Sequence, residues 1–188
     1  MKRIAAIAMI LSSMSLLSHA KDGDPAAEVP LTAGSATRAA KAHVRSFLEG
    51  DFKKMETTYA AKVRLMPGGE MLKAEYGLAG ANGRNKGTMV DRAKLIAAME
   101  KAFGGRPIVE AENIEKIFKM FKFEILKTGL GDYAVDPPDP VDTPDKKLHF
   151  AIEDRDVLFK VGPEKGDFLL FQFRPIGGRW QVVAEYLD

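Results

Sequence analysis

Asp154–Asp188, DRDVLFKVGPEKGDFLLFQFRPIGGRWQVVAEYLD, is the stretch that decides the fold. It predicts three antiparallel strands in succession. Val157 to Val161 runs into Gly162-Pro163-Glu164-Lys165-Gly166, Phe168 to Arg174 runs into Pro175-Ile176-Gly177-Gly178-Arg179, and Trp180 to Leu187 closes the chain. Glycine supplies the positive φ angles of tight hairpins, and Pro163 and Pro175 lie in or beside the connections, where a missing amide proton costs little. Strict alternation along the last strand puts Trp180, Val182, Ala184 and Tyr186 on one face, assigned here to the concave side, with Gln181, Val183, Glu185 and Leu187 on the other. Trp180 is expected in the core, and Leu158, Leu170 and Val183 on the sheet's outer face.

Immediately before the meander, Lys147 to Ile152 resumes the strand pattern with Leu148, Phe150 and Ile152 on one side. Leu130 to Lys146 carries Pro137, Pro138, Pro140 and Pro144 among Asp132, Asp136, Asp139, Asp142 and Asp145. Oxygen-rich loops attract calcium, but the glycine and terminal glutamate of a calcium loop are missing, so residues 130–146 read as a stiff solvated connection. Met120 to Lys127 alternates Phe121, Phe123 and Ile125 with Lys122 and Glu124, a half-buried strand. Asp91 caps a helix with Leu95, Met99, Ala102 and Phe103 on one stripe, ended by Gly104-Gly105 and Pro107. Ile108 to Ile117 reads as a connection with room for a helical turn.

Gly77, Gly80, Gly83 and Gly87 punctuate the run before Asp91, and residues 77–90 are expected to form a surface loop. The lysine and hydroxyl of a phosphate-binding loop are absent from it. Lys62 to Met66 alternates as a strand that turns at Pro67-Gly68-Gly69. Asp51 caps a short helix with Phe52, Met55 and Tyr59 as its stripe. Ahead of it Ala40, Val44, Phe47 and Leu48 form the apolar side of a helix started by Ser35 or Thr37 and stopped at Gly50.

Residues 1–20 have the form of an export signal. Lys2 and Arg3 precede an apolar run from Ile4 to Leu17, and Ser18-His19-Ala20 fits a cleavage site after Ala20. The run falls short of the roughly 20 residues a membrane span needs. A flexible lead-in, 21–34, and one domain, 35–188, are expected after it; removing 20 of 188 residues leaves 168, enough for one core. Without Lys2 and Arg3 the 28 basic residues fall to 26, matching the 26 acidic ones, so no nucleic-acid affinity is expected. No cysteine is present, which excludes disulfides, a thiol nucleophile and a lipoprotein anchor. The expected setting is periplasmic or secreted.

The resemblance to a known family rests on Phe47-Leu48-Glu49-Gly50-Asp51-Phe52, Met55, Tyr59-Ala60-Ala61, the strand ending at Pro67-Gly68, then Gly166-Asp167-Phe168-Leu169-Leu170-Phe171 and Gly177-Gly178-Arg179-Trp180. These resemble the start and the last hairpin of NTF2-like, SnoaL-like domains. The resemblance implies an α+β cone, a curved antiparallel or mixed sheet wrapped around about three N-terminal helices with a pocket at its open end. It also implies two uses of that pocket. Some members bind ligands there. In the steroid isomerases and polyketide cyclases an aspartate or histidine moves a proton and tyrosine or acid groups stabilise an oxyanion.

The side chains that can reach such a pocket are Tyr59, Arg64, Tyr76, His149, Trp180 and Tyr186. His43 and His149 have no metal-binding spacing, and no metal or cofactor is expected. No Gly-x-Ser-x-Gly occurs and no acid/base pair stands out among the carboxylates. The leading reading is therefore a non-catalytic domain that binds a small apolar ligand or a protein partner, forming a homodimer through the sheet. The competing one is a small isomerase, dehydratase or cyclase that uses a pocket carboxylate or His149 with a tyrosine.

Overall fold

Local sequence fixes the starts of the first two helices. The computed structural model describes residues 31–66, 87–104, 106–130, 141–142, 147–148, 150–165 and 168–186. The predicted leader, most of the glycine-rich loop and most of the Asp/Pro-rich loop lie outside these. Helix α1 (Ala33–Glu49) starts at Thr32, whose hydroxyl accepts from Ser35 N while the Ser35 hydroxyl accepts from Thr32 N. The cap thus falls a few residues ahead of the expected Ser35 or Thr37. Gly50, with φ 68, ends the helix in the left-handed region, where a Cβ would meet the Arg106 carbonyl at 2.5 Å. Asp51 caps α2 (Phe52–Glu56) by accepting from Lys54 N at 3.0 Å. The chain then enters β1 (Tyr59–Leu65), β2 (Thr88–Asp91) and α3 (Arg92–Phe103).

Helix α4 (Ala111–Met120) extends to ten residues what the sequence presents as a connection with room for one helical turn. Ile114 is its buried residue, and Arg45 of α1 lies 4.7 Å over the Phe118 ring while bonding Glu115 at 2.7 Å. The remaining strands are β3 (Lys122–Thr128), the short pair β4 (Val141–Asp142) and β5 (Lys147–Leu148), β6 (Val157–Gly162), β7 (Leu169–Ile176) and β8 (Arg179–Tyr186).

The main sheet runs β2-β1-β8-β7-β6-β3, unclosed, and is antiparallel except where β1 meets β8. Helices over one face of such a sheet give an α+β architecture, the class that the sequence leads one to expect. Phe47, Phe52, Met55, Val63, Phe159, Phe171, Phe173 and Val182 fill the space between helices and sheet. Trp180 belongs to this core and donates to Ser35 Oγ at 2.9 Å, tying the sheet to the first turn of α1.

The face assignment on the last strand needs correction. Gln172 pairs with Ala184 and Phe173 with Val182, so Val183 has no partner and forms a bulge. One extra residue reverses the alternation beyond it. Trp180 and Val182 face the helices, whereas Ala184 and Tyr186 join a second apolar cluster with Leu158, Leu170, Leu148, Phe150 and Met66. Leu158 and Leu170, expected on a bare outer face, are fully buried under this chain's own Leu148 and Phe150. Glu185 turns inward.

Candidate functional site

Because β1 and β8 are neighbours, Tyr59 at the start of one reaches Glu185 near the end of the other. Tyr59 Oη donates to Glu185 Oε2 at 2.6 Å, and both residues are fully buried. Burial pushes the Glu185 carboxyl up to about 7, against the opposing effect of the tyrosine hydrogen bond. Its Oε1 has no hydrogen-bond partner among the described residues.

His43 of α1 packs edge-on to Tyr59 and Phe171, with ring centroids 4.9 Å away in each case. Phe171 is also the β7 partner of Glu185, so His43 and Glu185 flank the same two rings. His43 Nδ1 lies 2.6 Å from Thr58 Oγ1, whose own proton goes to the Met55 carbonyl at 2.6 Å. Nδ1 must therefore carry the imidazole proton, and Nε2 is a bare acceptor, also without a partner among the described residues. Burial pushes His43 down to about 3, so the ring stays neutral. A carboxyl raised to about 7, a phenol and an imidazole acceptor are the parts of a proton-transfer site. Their neighbours are aromatic and aliphatic core side chains, and none of the three reaches the surface.

The opposite face of the sheet holds a cleft of about 600 Å³. Ala60, Val183 and Ala184 form its floor, Met66 and Phe150 close one side, and Met89 and Ile176 stand at it as exposed apolar groups. Lys62, Arg64, Arg92 and Arg174 supply positive charge against Glu153, with Gln172 and Gln181 as neutral polar groups.

One wall is fixed by an ionic knot around the buried Asp156. Asp156 accepts from Arg174 Nε and Nη2 at 2.9 Å each, from Gln172 Nε2 at 2.7 Å and from Glu153 N at 2.8 Å. Arg174 Nη1 bonds Glu153 at 2.9 Å, and the hydrogen bond that Arg174 donates to Asp156 raises the guanidinium above its ordinary range. Gln172 also donates to the Ala151 carbonyl at 2.8 Å, so the knot clamps the 151–156 segment to β7 beside the cleft.

Of the residues picked from sequence that are among the described ones, Arg64 alone lines this cleft. Tyr59 and Trp180 are buried on the helix side, Tyr186 on the other side with its ring 6.5 Å from Phe168. Tyr76 and His149 lie outside the described residues. Sequence reasoning missed Glu185, because alternation placed it outward, and His43, which reads only as a residue on the flank of α1. It also missed Lys62, Arg92 and Arg174, since cations on a strand or helix face ordinarily mark a solvated surface.

No protein-family model matches the sequence, and no curated protein matches it. Among solved structures, similar ones include an NTF-2 like protein of unknown function from Shewanella oneidensis (10% identity, 81% of this chain and 95% of that one, TM-score 0.41). Another, from Silicibacter pomeroyi, is also an NTF-2 like protein of unknown function (13% identity, 81% and 91% covered, TM-score 0.41). A ketosteroid isomerase-like protein from Erwinia carotovora is similar at 14% identity, 81% and 92% covered, TM-score 0.36.

Proposed function

We propose that the chain is a non-catalytic binding domain that takes a small, largely apolar ligand in the cleft on the open face of its sheet. The observation that carries this reading is a separation: the cleft is reachable and apolar-floored, while the acid and base groups are sealed on the other face. Its volume of about 600 Å³ suits a small organic molecule, for which sites run from roughly 300 to 1,000 Å³. The leader ending at Ala20 supports a periplasmic or secreted setting.

Native mass spectrometry of the chain isolated from its own cells tests this. A bound small molecule is expected on the wild type and not on Val183→Trp, which fills the cleft from its floor; a ligand retained undiminished by that variant refutes the site. One observation favours a second reading, an isomerase- or dehydratase-type enzyme: the Glu185–Tyr59 hydrogen bond at 2.6 Å beside the bare Nε2 of His43. That reading requires the core to open to a substrate. It gains if Glu185→Gln, rather than Val183→Trp, changes what is retained.

A further inference from the structure

Gln172 and Gln181 are the only glutamines of the chain, and both line the cleft. Gln172, at 3% exposed, is locked in place. Its Nε2 donates one proton to the Ala151 carbonyl at 2.8 Å and the other to Asp156 Oδ2 at 2.7 Å, and a primary amide nitrogen has no third to give. Turning the amide over would set Oε1 against two acceptor oxygens. The orientation is therefore fixed.

That leaves Oε1, which accepts no hydrogen bond among the described residues. It is not sealed in either, since the buried side-chain atoms without a partner among the described residues are His43 Nε2 and Glu185 Oε1. An acceptor neither bonded nor sealed is open to solvent, and the opening beside Gln172 is the cleft. With Nε2 turned to the 151–156 wall, Oε1 points away from that wall. The cross-strand partner of Gln172 is Ala184, a floor residue that carries only a methyl group. Gln181, by contrast, makes no side-chain hydrogen bond among the described residues and can offer a ligand either end of its amide.

A fixed acceptor beside an apolar floor selects for a donor. A wholly apolar molecule would strip water from Oε1 and return nothing, and a ketone or ether would set oxygen against oxygen. We propose that the cleft takes a largely apolar molecule bearing a hydroxyl or N–H group, which donates to Gln172 Oε1 while the apolar body lies over Ala60 and Val183. This rests on the reading that the cleft is the ligand site.

Octan-2-ol and octan-2-one test it, since they share a chain and differ in whether the oxygen carries a proton. The full chain, labelled with carbon-13 at the glutamine side-chain carbonyls and the methionine methyl groups, is titrated with each and followed by NMR. Met66 and Met89 report on the cleft, and Met55 and Met99 on the opposite core. Shifts are expected at Met66 and Met89 alone, with the alcohol binding about tenfold more tightly than the ketone. The Gln172 carbonyl signal should move with the alcohol and stay with the ketone. In Gln172→Met the two probes are expected to bind alike, and a preference for the alcohol that survives there overturns the assignment. Equal affinities in the wild type, with Met66 and Met89 shifting and the Gln172 signal unmoved, would overturn the hydrogen bond and leave the cleft standing as the site. Shifts at Met55 and Met99, or nowhere, would overturn both.

Discussion

The two faces of one sheet handle their polar groups in opposite ways. On the helix side, Glu185 and His43 are buried with an oxygen and a nitrogen that have no partner among the described residues. On the other side, Asp156 is equally buried yet accepts four hydrogen bonds, and Arg174 is paired with two carboxylates. A buried polar group without a partner costs roughly 1–3 kcal/mol, so the helix side stores instability that the cleft side has cancelled. The buried acid and imidazole and the charged groups that line the cleft thus lie on opposite faces. Each prediction below perturbs one side and asks whether the other responds.

The largest effect is expected from truncating the helix-side core. Trp180 is buried and holds Ser35 across 145 residues of sequence. Trp180→Ala should therefore cost about 3–5 kcal/mol in urea unfolding. Met89→Ala, on the cleft side and half exposed, should stay within about 0.5 kcal/mol. Comparable losses from the two would mean that the cleft side is packed as tightly as the core.

Next in size is the pH dependence of the interior pair, about 1.4 kcal/mol per pH unit for each group. Glu185 is raised from 4.5 to about 7, so its contribution is present below about 4.5 and lost as pH rises to about 7. His43 is lowered from 6.5 to about 3, so its contribution is present above about 6.5 and lost as pH falls to about 3. Between about 4.5 and 6.5 the two slopes are opposite and cancel. Denaturation across that window should show no net slope from this pair in the wild type. Stability should rise with pH in Glu185→Gln, where only the histidine acts, and fall with pH in His43→Phe, where only the carboxyl acts. Parallel profiles for the two variants would mean that at least one group is not buried as described.

How much was readable beforehand varies with the range of the deciding contact. The closing meander was legible because Gly177 and Gly178, with φ 57 and 74, mark its last hairpin locally. Helix α4 was not, since Glu110 at its N-cap makes no side-chain cap bond and the helix is held by Ile114 and by Arg45 on Phe118. Strand β2 was hidden in a glycine-rich run. Gly87, at φ 71, lies where a Cβ would meet the Leu65 carbonyl at 2.5 Å, so this glycine serves strand pairing. The interior acid escaped for one reason: the bulge at Val183 has no glycine to announce it, yet it alone turns Glu185 toward Tyr59, 126 residues away.

Tyr59→Phe is expected to have a smaller effect, about 1–2 kcal/mol near neutral pH, because it leaves Glu185 Oε2 without its donor. Losing that hydrogen bond removes the one influence holding the carboxyl down, so the midpoint of the Glu185-dependent stability change should move above about 7. The cleft, reached from the opposite face, should keep its ligand affinity. A drop in affinity equal to that caused by Val183→Trp would tie the two faces together and favour the catalytic reading.

The smallest effect separates solvated charge from buried charge. Lys122 and Glu164 bond at 2.9 Å at the sheet's β3 edge, but both side chains are largely exposed. Water and salt screen such a pair, and two long side chains lose freedom to make it. Glu164→Gln should leave the melting temperature unchanged within error, even though Lys122 lowers the carboxyl's pKa. Asp156→Asn breaks a pair whose acid is fully buried, and should lower the melting temperature clearly while loosening the 151–156 wall. Equal responses to the two substitutions would show that Arg174 does not need its buried partner to hold the cleft's shape.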